Sequence, residues 1–113
     1  MELIHLVDII ALFIMHFLAD FVLQTREMGT KKSSSNLWLT YHVVIYSLGF
    51  LYWGLPFAAL NFVLHWITDF ISSRWSKHFW NNKNEHGFWC VIGGDQAVHM
   101  ICLVSTYYLF HVI

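Results

Sequence analysis

The chain has 113 residues, of which 58% are hydrophobic and only 12% are charged, and its net charge is −1 with the histidines neutral. This charge excludes the basic surface that a nucleic-acid-binding protein needs. No Asp, Glu, Lys or Arg occurs between Lys32 and Asp69, a stretch too long for one core helix and suited to two membrane crossings. The composition therefore predicts an all-α, polytopic membrane protein with a single domain over residues 1–113.

Four transmembrane helices in an antiparallel bundle are predicted, over about residues 3–23, 37–55, 56–78 and 88–112. The first lacks the basic region and cleavage site of a signal peptide, so we expect it to be retained. In the polar link that follows, Ser35 or Asn36 would cap the second helix. A turn at "WGLP" places Pro56 at the start of the third helix, and the loop "NNKNEHG" leads to the fourth.

The basic residues predict the orientation of this bundle. They lie in the first link and around the end of the third helix: Arg26, Lys31, Lys32, Arg74, Lys77 and Lys83. In an array of four antiparallel helices these two regions share one side, which the positive-inside rule places in the cytoplasm. We therefore expect a multi-pass protein of the bacterial inner membrane, with both termini outside.

Histidine and aspartate recur at four-residue spacing in three of the predicted helices. The first helix contains "HFLADFVLQ", the third "HWITD" and the fourth "DQAVH", while the second adds a histidine without such a partner in "YHVV". A helix turns once in about 3.6 residues, so both members of a pair project from one face. The residues are His16 and Asp20, His65 and Asp69, Asp95 and His99, and His42.

Under the predicted topology all seven side chains lie in the cytoplasmic half of the bundle, which favours a metal site. Ionisable groups in a membrane segment cost roughly 2.5–3.5 kcal/mol each, and a bound metal would neutralise the carboxylates and occupy the imidazole lone pairs. Imidazole and carboxylate ligands suit Zn, Mn, Fe or Ni. We therefore predict one or two divalent transition-metal ions, with zinc as the expected metal and a bridging aspartate if there are two.

Each motif by itself has a simpler interpretation. A lone histidine in a membrane helix usually hydrogen-bonds a neighbour, as His42 could do, and a single His/Asp pair can be a salt bridge within its helix. Three pairs and one further histidine at a common depth are what favour metal binding over these interpretations.

The same segments resemble a family of small bacterial and phage membrane proteins, domain of unknown function 3307. The resemblance rests on "HFLADFVLQ", "YHVVIYSL", "HWITDF" and "DQAVH", in that order, and covers nearly the whole chain. The family is distantly similar to predicted membrane-bound metal-dependent hydrolases, which are also helical and rich in intramembrane His and Asp. The resemblance implies the seven positions named above as the site, but it implies no particular reaction.

Three functions are compatible with this pattern. In a metallohydrolase, a metal-activated water would attack a lipid phosphoester or ester near the inner headgroups, and the general base would be an aspartate or His42. In a transporter, the same residues would mark an ion or proton pathway. In a structural or interaction protein, encoded for instance by a phage, the metal would only hold the helices together. Membrane lipid is the expected partner, and a homo-oligomer is left open.

Overall fold

The computed structural model describes residues 2–113, which form five α-helices and no strand. The helices are α1 (Leu3–Phe17), α2 (Arg26–Lys31), α3 (Asn36–Leu48), α4 (Leu55–Asn81) and α5 (Glu85–His111). A π-helical turn, Leu18–Val22, continues α1, and a 3₁₀ turn, Leu51–Trp53, follows α3. The predicted all-α fold is confirmed, and α2 is an additional short helix within the first link.

Three helical segments of the described chain, not the predicted four, are long and apolar enough to cross a membrane. They are Leu3–Val22, Leu55–Asn81 and Glu85–His111. The 13 residues of α3 extend for only about 20 Å, whereas the hydrocarbon core of a bilayer is about 30 Å thick. The prediction of a helix over residues 37–55 is wrong because an uncharged run does not ensure a continuous helix. Here the helix ends before Gly49, and Phe50 and Trp53 are buried in the core.

The chain nevertheless reverses direction at each connection. His5 Nδ1 is 2.8 Å from the Tyr107 hydroxyl, and His111 Nε2 donates to the Trp53 carbonyl oxygen at 2.8 Å. The start of α1, the 3₁₀ turn and the end of α5 therefore lie together at what we call the terminal end of the bundle. The links at residues 23–35 and 82–84 lie at the opposite, link end. α4 and α5 form a long hairpin, and α3 packs on α4.

Side-chain caps explain where three of the helices begin. Ser35 Oγ accepts a hydrogen bond from the Trp38 backbone at 3.4 Å, which confirms the predicted cap of the second long segment. Thr25 and Asn84 cap α2 and α5 in the same way. Pro56 lies in the first turn of α4, as predicted, where its missing N–H has no helical acceptor to lose.

The terminal half of the bundle has a closely packed aromatic core. Tyr46, Phe50 and Phe57 are buried there together with Leu12 and Leu103. The ring centroids of Tyr46 and Phe50 are 4.9 Å apart, within the range for favourable aromatic contacts. This core closes the terminal half, so the cluster of His and Asp side chains lies between it and the link end.

Gly54 occupies a backbone conformation that only glycine adopts readily, with φ +108° and ψ 153°. We expect Gly54→Ala to lower the free energy of unfolding by about 1–3 kcal/mol, measured as a lower melting temperature in detergent. Gly93→Ala is the matched control, because a Cβ there meets nothing within 4 Å and alanine favours the helix. Equal melting of Gly54→Ala and the unmodified protein would contradict the strain argument.

Candidate metal centre

The seven side chains predicted as a site are all buried, and Asp95 is the most exposed of them at 8%. They come from four helical segments that meet between the aromatic core and the link end. Asp20 lies in the π-helical turn, a feature that occurs frequently at functional sites. Six of the seven form two groups of candidate metal ligands that share Asp20.

The first group consists of Asp20, His42, His65 and Asp69, and we call it the closed group. His42 Nε2 is 2.9 Å from Asp20 Oδ1, 3.1 Å from Asp69 Oδ2 and 3.2 Å from His65 Nε2. His65 Nε2 is 3.6 Å from Asp20 Oδ1 and 3.1 Å from Asp69 Oδ2. Four nitrogen and oxygen atoms from three segments of the chain thus face one point.

These separations fit a tetrahedral ion site. Four ligands at about 2.0–2.1 Å from a zinc ion lie about 3.3 Å from one another. The five separations given above are between 2.9 and 3.6 Å, and all four atoms lie within 4.8 Å of one another. Hydrogen bonding does not account for the arrangement equally well. Asp20 Oδ1 is buried and has no assigned hydrogen bond, although His42 Nε2 lies 2.9 Å from it. A cation at the centre would satisfy this oxygen.

The second group consists of Asp20, Asp95 and His99, and we call it the open group. His99 Nε2 is 3.2 Å from Asp95 Oδ2 and 3.0 Å from Asp69 Oδ1, which connects the two groups. The Gln96 amide nitrogen donates to Asp20 Oδ2 at 3.1 Å and to Asp95 Oδ2 at 3.0 Å. Asp20 thus has one oxygen beside His42 and the other beside the amide that also holds Asp95, so it could serve as a ligand in both groups.

Two of the three ligands of the open group line a cavity of about 610 Å³ at the link end, which we call the polar cavity after the lysine and serine side chains in its wall. Asp20 and Asp95 form part of its wall, whereas His42, His65 and Asp69 do not. Catalytic zinc sites have three protein ligands and a position for water, and structural sites have four protein ligands. The open group has three candidate ligands, as a catalytic site has, and the closed group has four, as a structural site has.

His16 lies beside both groups but belongs to neither. Its Nδ1 is 2.9 Å from the Tyr46 hydroxyl, and its Nε2 is 2.7 Å from Gln96 Oε1 and 3.7 Å from Asp20 Oδ2. Both ring nitrogens thus have hydrogen-bond partners outside the ligand set. In this arrangement His16 orients Gln96, and its role as a direct ligand stays a prediction.

His42 has surroundings that its own helix does not reveal. No carboxylate lies one turn away on α3, but Asp20 and Asp69 reach it from two other segments. It is 1% exposed and its Nε2 has the same neighbours as that of His65. His42 therefore lacks a carboxylate partner only within its own helix and not in the folded chain, which weakens the case for His42 as a general base.

Lys32 is a site residue that the spacing of His and Asp did not predict. Its Nζ is 3.0 Å from Asp69 Oδ2, and only 16% of the side chain is exposed. Burial lowers the pKa of this ammonium, but the carboxylates of Asp69 and Asp20 raise it by more, so the pKa lies above its usual value. The sequence signal is its place four residues before α3, which carries His42. The charge of Lys32 by itself predicts only the orientation of the bundle.

The fold and the site define an all-helical protein with three helices of membrane-spanning length and buried His/Asp groups that could hold a metal ion. The chain belongs to the family described as protein of unknown function (DUF3307), whose model matches residues 9–113. The resemblance seen in the sequence motifs is thereby confirmed for this family. No curated protein and no solved structure matches the chain.

Proposed function

We propose that this protein is a membrane-embedded metal-dependent hydrolase that acts on a lipid-linked phosphoester or ester near the cytoplasmic leaflet of a bacterial inner membrane. The observation that carries the proposal is the open group, in which three candidate ligands lie in and behind the wall of the polar cavity. Such a site leaves a coordination position for water and gives a substrate access to it.

The surface of the bundle supports a membrane location. Large apolar side chains are widely exposed on the outer faces of the three long segments: Ile4, Ile10, Ile14, Phe17, Val63, Ile67, Ile71, Ile101 and Leu109. In water so much exposed apolar surface would favour association, whereas lipid accommodates it. Although α3 is short, Trp53 reaches His111 and His5 reaches Tyr107, which supports the proposal that both termini lie on one side of the membrane.

The residues of the chain have separate tasks in the proposed reaction. A divalent ion in the open group, for which zinc is suited, would supply Lewis acidity and activate water near neutral pH. Gln96 holds the carboxylates of Asp20 and Asp95 in place, and His16 fixes the orientation of the Gln96 amide. The closed group holds the other oxygen of Asp20, so it positions the shared ligand from behind.

Topology can be tested with single cysteines, since the basic residues lie at the link end. In a chain without Cys90 and Cys102, we expect Ile113→Cys to react with an impermeant maleimide in intact cells. Ser34→Cys should react only after the cells are permeabilised. Reaction of Ser34→Cys without reaction of Ile113→Cys would contradict the proposed orientation.

An open coordination position can be tested without knowledge of the substrate. In Co²⁺-loaded protein we expect azide to change the visible absorption, because the anion enters the position that water would hold. Asp95→Asn should lose this response and keep the Co²⁺ of the closed group. If azide leaves the spectrum of the unmodified protein unchanged, the sites are closed and the hydrolase proposal fails.

A structural role is the second candidate, and the closed group favours it because four buried protein ligands are typical of structural ions. Both the structural role and the hydrolase proposal predict that metal stabilises the fold, but the structural role does not predict a response to azide. Transport through a single chain has less support, since Tyr46, Phe50 and Phe57 pack across the terminal half of the bundle.

A further inference from the structure

Two cavities meet at one pair of side chains between α4 and α5. The second cavity, of about 530 Å³, is a groove that we call the apolar groove, and its lining includes Ile67, Ile71, Trp75, Val91, Gly94 and Val98. Ser72 and Asp95 line both the apolar groove and the polar cavity, and the Ser72 hydroxyl donates a hydrogen bond to Asp95 Oδ1. The open group therefore lies where the two cavities join.

The polar cavity has groups that suit a phosphate. Two lysines, Lys32 and Lys77, are among the residues that line it. Ser73, which is 8% exposed, also lines it, and its hydroxyl has no hydrogen-bond partner. Phosphate oxygens accept hydrogen bonds and carry the opposite charge to the lysines. The carboxylates in the same wall belong to the metal groups, where a bound divalent ion would offset their charge.

The apolar groove contains a glycine that is not needed for close packing of the helices. A Cβ built at Gly94 meets nothing within 4 Å, so this glycine does not serve close contact between helices. Ile67 and Ile71 on the opposite wall are about half exposed. The groove thus offers an extended apolar surface that ends at Ser72 and Asp95, as an acyl chain attached to a polar headgroup requires.

Resting on the proposed function, we infer that the substrate is a phosphorylated amphiphile that places its phosphate in the polar cavity and its acyl chain in the apolar groove. The ester linkage then lies beside Ser72 and Asp95. Hydrolysis there forms a bond from the water oxygen to phosphorus and breaks the bond from phosphorus to the alkyl oxygen. The proton from water passes to the alcohol, which leaves with its chain in the groove.

The test uses dodecyl phosphate as the probe and Cys90 as the reporter, because this exposed thiol lines the apolar groove. In full-length protein carrying Cys102→Ser, purified in dodecyl maltoside, we expect dodecyl phosphate to slow alkylation of Cys90. Inorganic phosphate, which has no chain, should leave the alkylation rate unchanged, and further dodecyl maltoside shows the effect of the chain alone. The inference is supported if dodecyl phosphate protects Cys90 and neither inorganic phosphate nor further dodecyl maltoside does.

Matched variants separate the two parts of the binding site. Gly94→Leu fills the apolar groove and Lys77→Gln removes a charge from the polar cavity, and each should weaken protection about tenfold. Gly93→Leu and Lys83→Gln are the controls, since neither position lines either cavity. A Cβ at Gly93 also meets nothing within 4 Å, so the two leucine variants add the same bulk to equally open positions.

Equal effects of Gly93→Leu and Gly94→Leu, or no protection beyond that of dodecyl maltoside, would overturn the inference even if the azide test succeeds. A change of oligomeric state in Gly94→Leu alone would also overturn it, because the groove would then be a contact between copies of the chain. Conversely, specific protection in a protein that binds no metal would support the amphiphile site while the hydrolase proposal fails.

Discussion

Asp69→Asn is expected to remove the metal ion of the closed group and to destabilise the protein. Asp69 contacts four side chains: Oδ2 lies 3.1 Å from both His42 and His65 and 3.0 Å from Lys32, and Oδ1 lies 3.0 Å from His99. An amide is a poor metal ligand and leaves the buried ammonium without its counter-ion. Removal of one partner from a buried ion pair costs about 3–5 kcal/mol.

The measurements are elemental analysis of protein purified without added metal and thermal melting with and without a chelator. A chelator should lower the melting temperature of the unmodified protein by more than that of Asp69→Asn, because the variant has already lost the ion of the closed group and bound metal stabilises the folded state. Asp8→Asn is the matched control, since Asp8 accepts a hydrogen bond from Tyr107 at the terminal end and lies outside both groups. No metal in the unmodified protein, together with unchanged melting of Asp69→Asn, would exclude the site.

Substitution of the other acidic ligands should distinguish the two groups by the number of metal ions that each variant retains. Asp95→Asn should lose the ion of the open group and keep that of the closed group. Asp20→Asn should lose both, because each group uses one oxygen of this carboxylate. Loss of the same number of ions from Asp20→Asn and Asp95→Asn would contradict a shared ligand.

His42→Ala and His65→Ala are expected to lose metal and thermal stability to the same extent. Both Nε2 atoms are 3.1 Å from Asp69 Oδ2, and both lie within 3.6 Å of Asp20 Oδ1. Substitution of a residue that only orients a ligand costs 10–100-fold in metal affinity, so loss of a direct ligand should cost more than about 100-fold. His78→Ala is the control, because His78 is exposed on α4 and belongs to neither group.

The contrary result would restore the role that the sequence predicted for His42. If His42→Ala kept its metal and fold but lost metal-dependent release of phosphate from dodecyl phosphate, His42 would be assigned as a general base. General base catalysis contributes typically 10²–10⁴-fold, which this comparison would detect. Equal loss of metal in both variants would make His42 a ligand and leave activation of water to the open group.

The sequence by itself determined the properties that depend on near neighbours along the chain. The four-residue spacing of His65 and Asp69 places them on one face of any helix, and their Nε2 and Oδ2 atoms are 3.1 Å apart in the structure. The all-α fold and the cap at Ser35 follow from local patterns of the same kind. The motifs that contain these pairs were also sufficient to reveal the family.

Only the tertiary structure decided which helices meet and which of their faces turn toward one another. It gave His42 its two carboxylates, brought Lys32 to Asp69, and divided the predicted ligands into a closed and an open group that share Asp20. It also separated His16 from both groups, although its spacing from Asp20 is that of the other pairs.

The physical reason is that spacing fixes the direction of a side chain only relative to its own helix axis. The rotation and depth of each helix depend on packing between helices, here on the aromatic core that Tyr46, Phe50 and Phe57 form. The same core ends α3 early, because Phe50 and Trp53 pack inward where a spanning helix would have continued. Local periodicity therefore predicted the pairs of candidate ligands, and packing between helices decided how those pairs combine into two groups that could hold a metal ion.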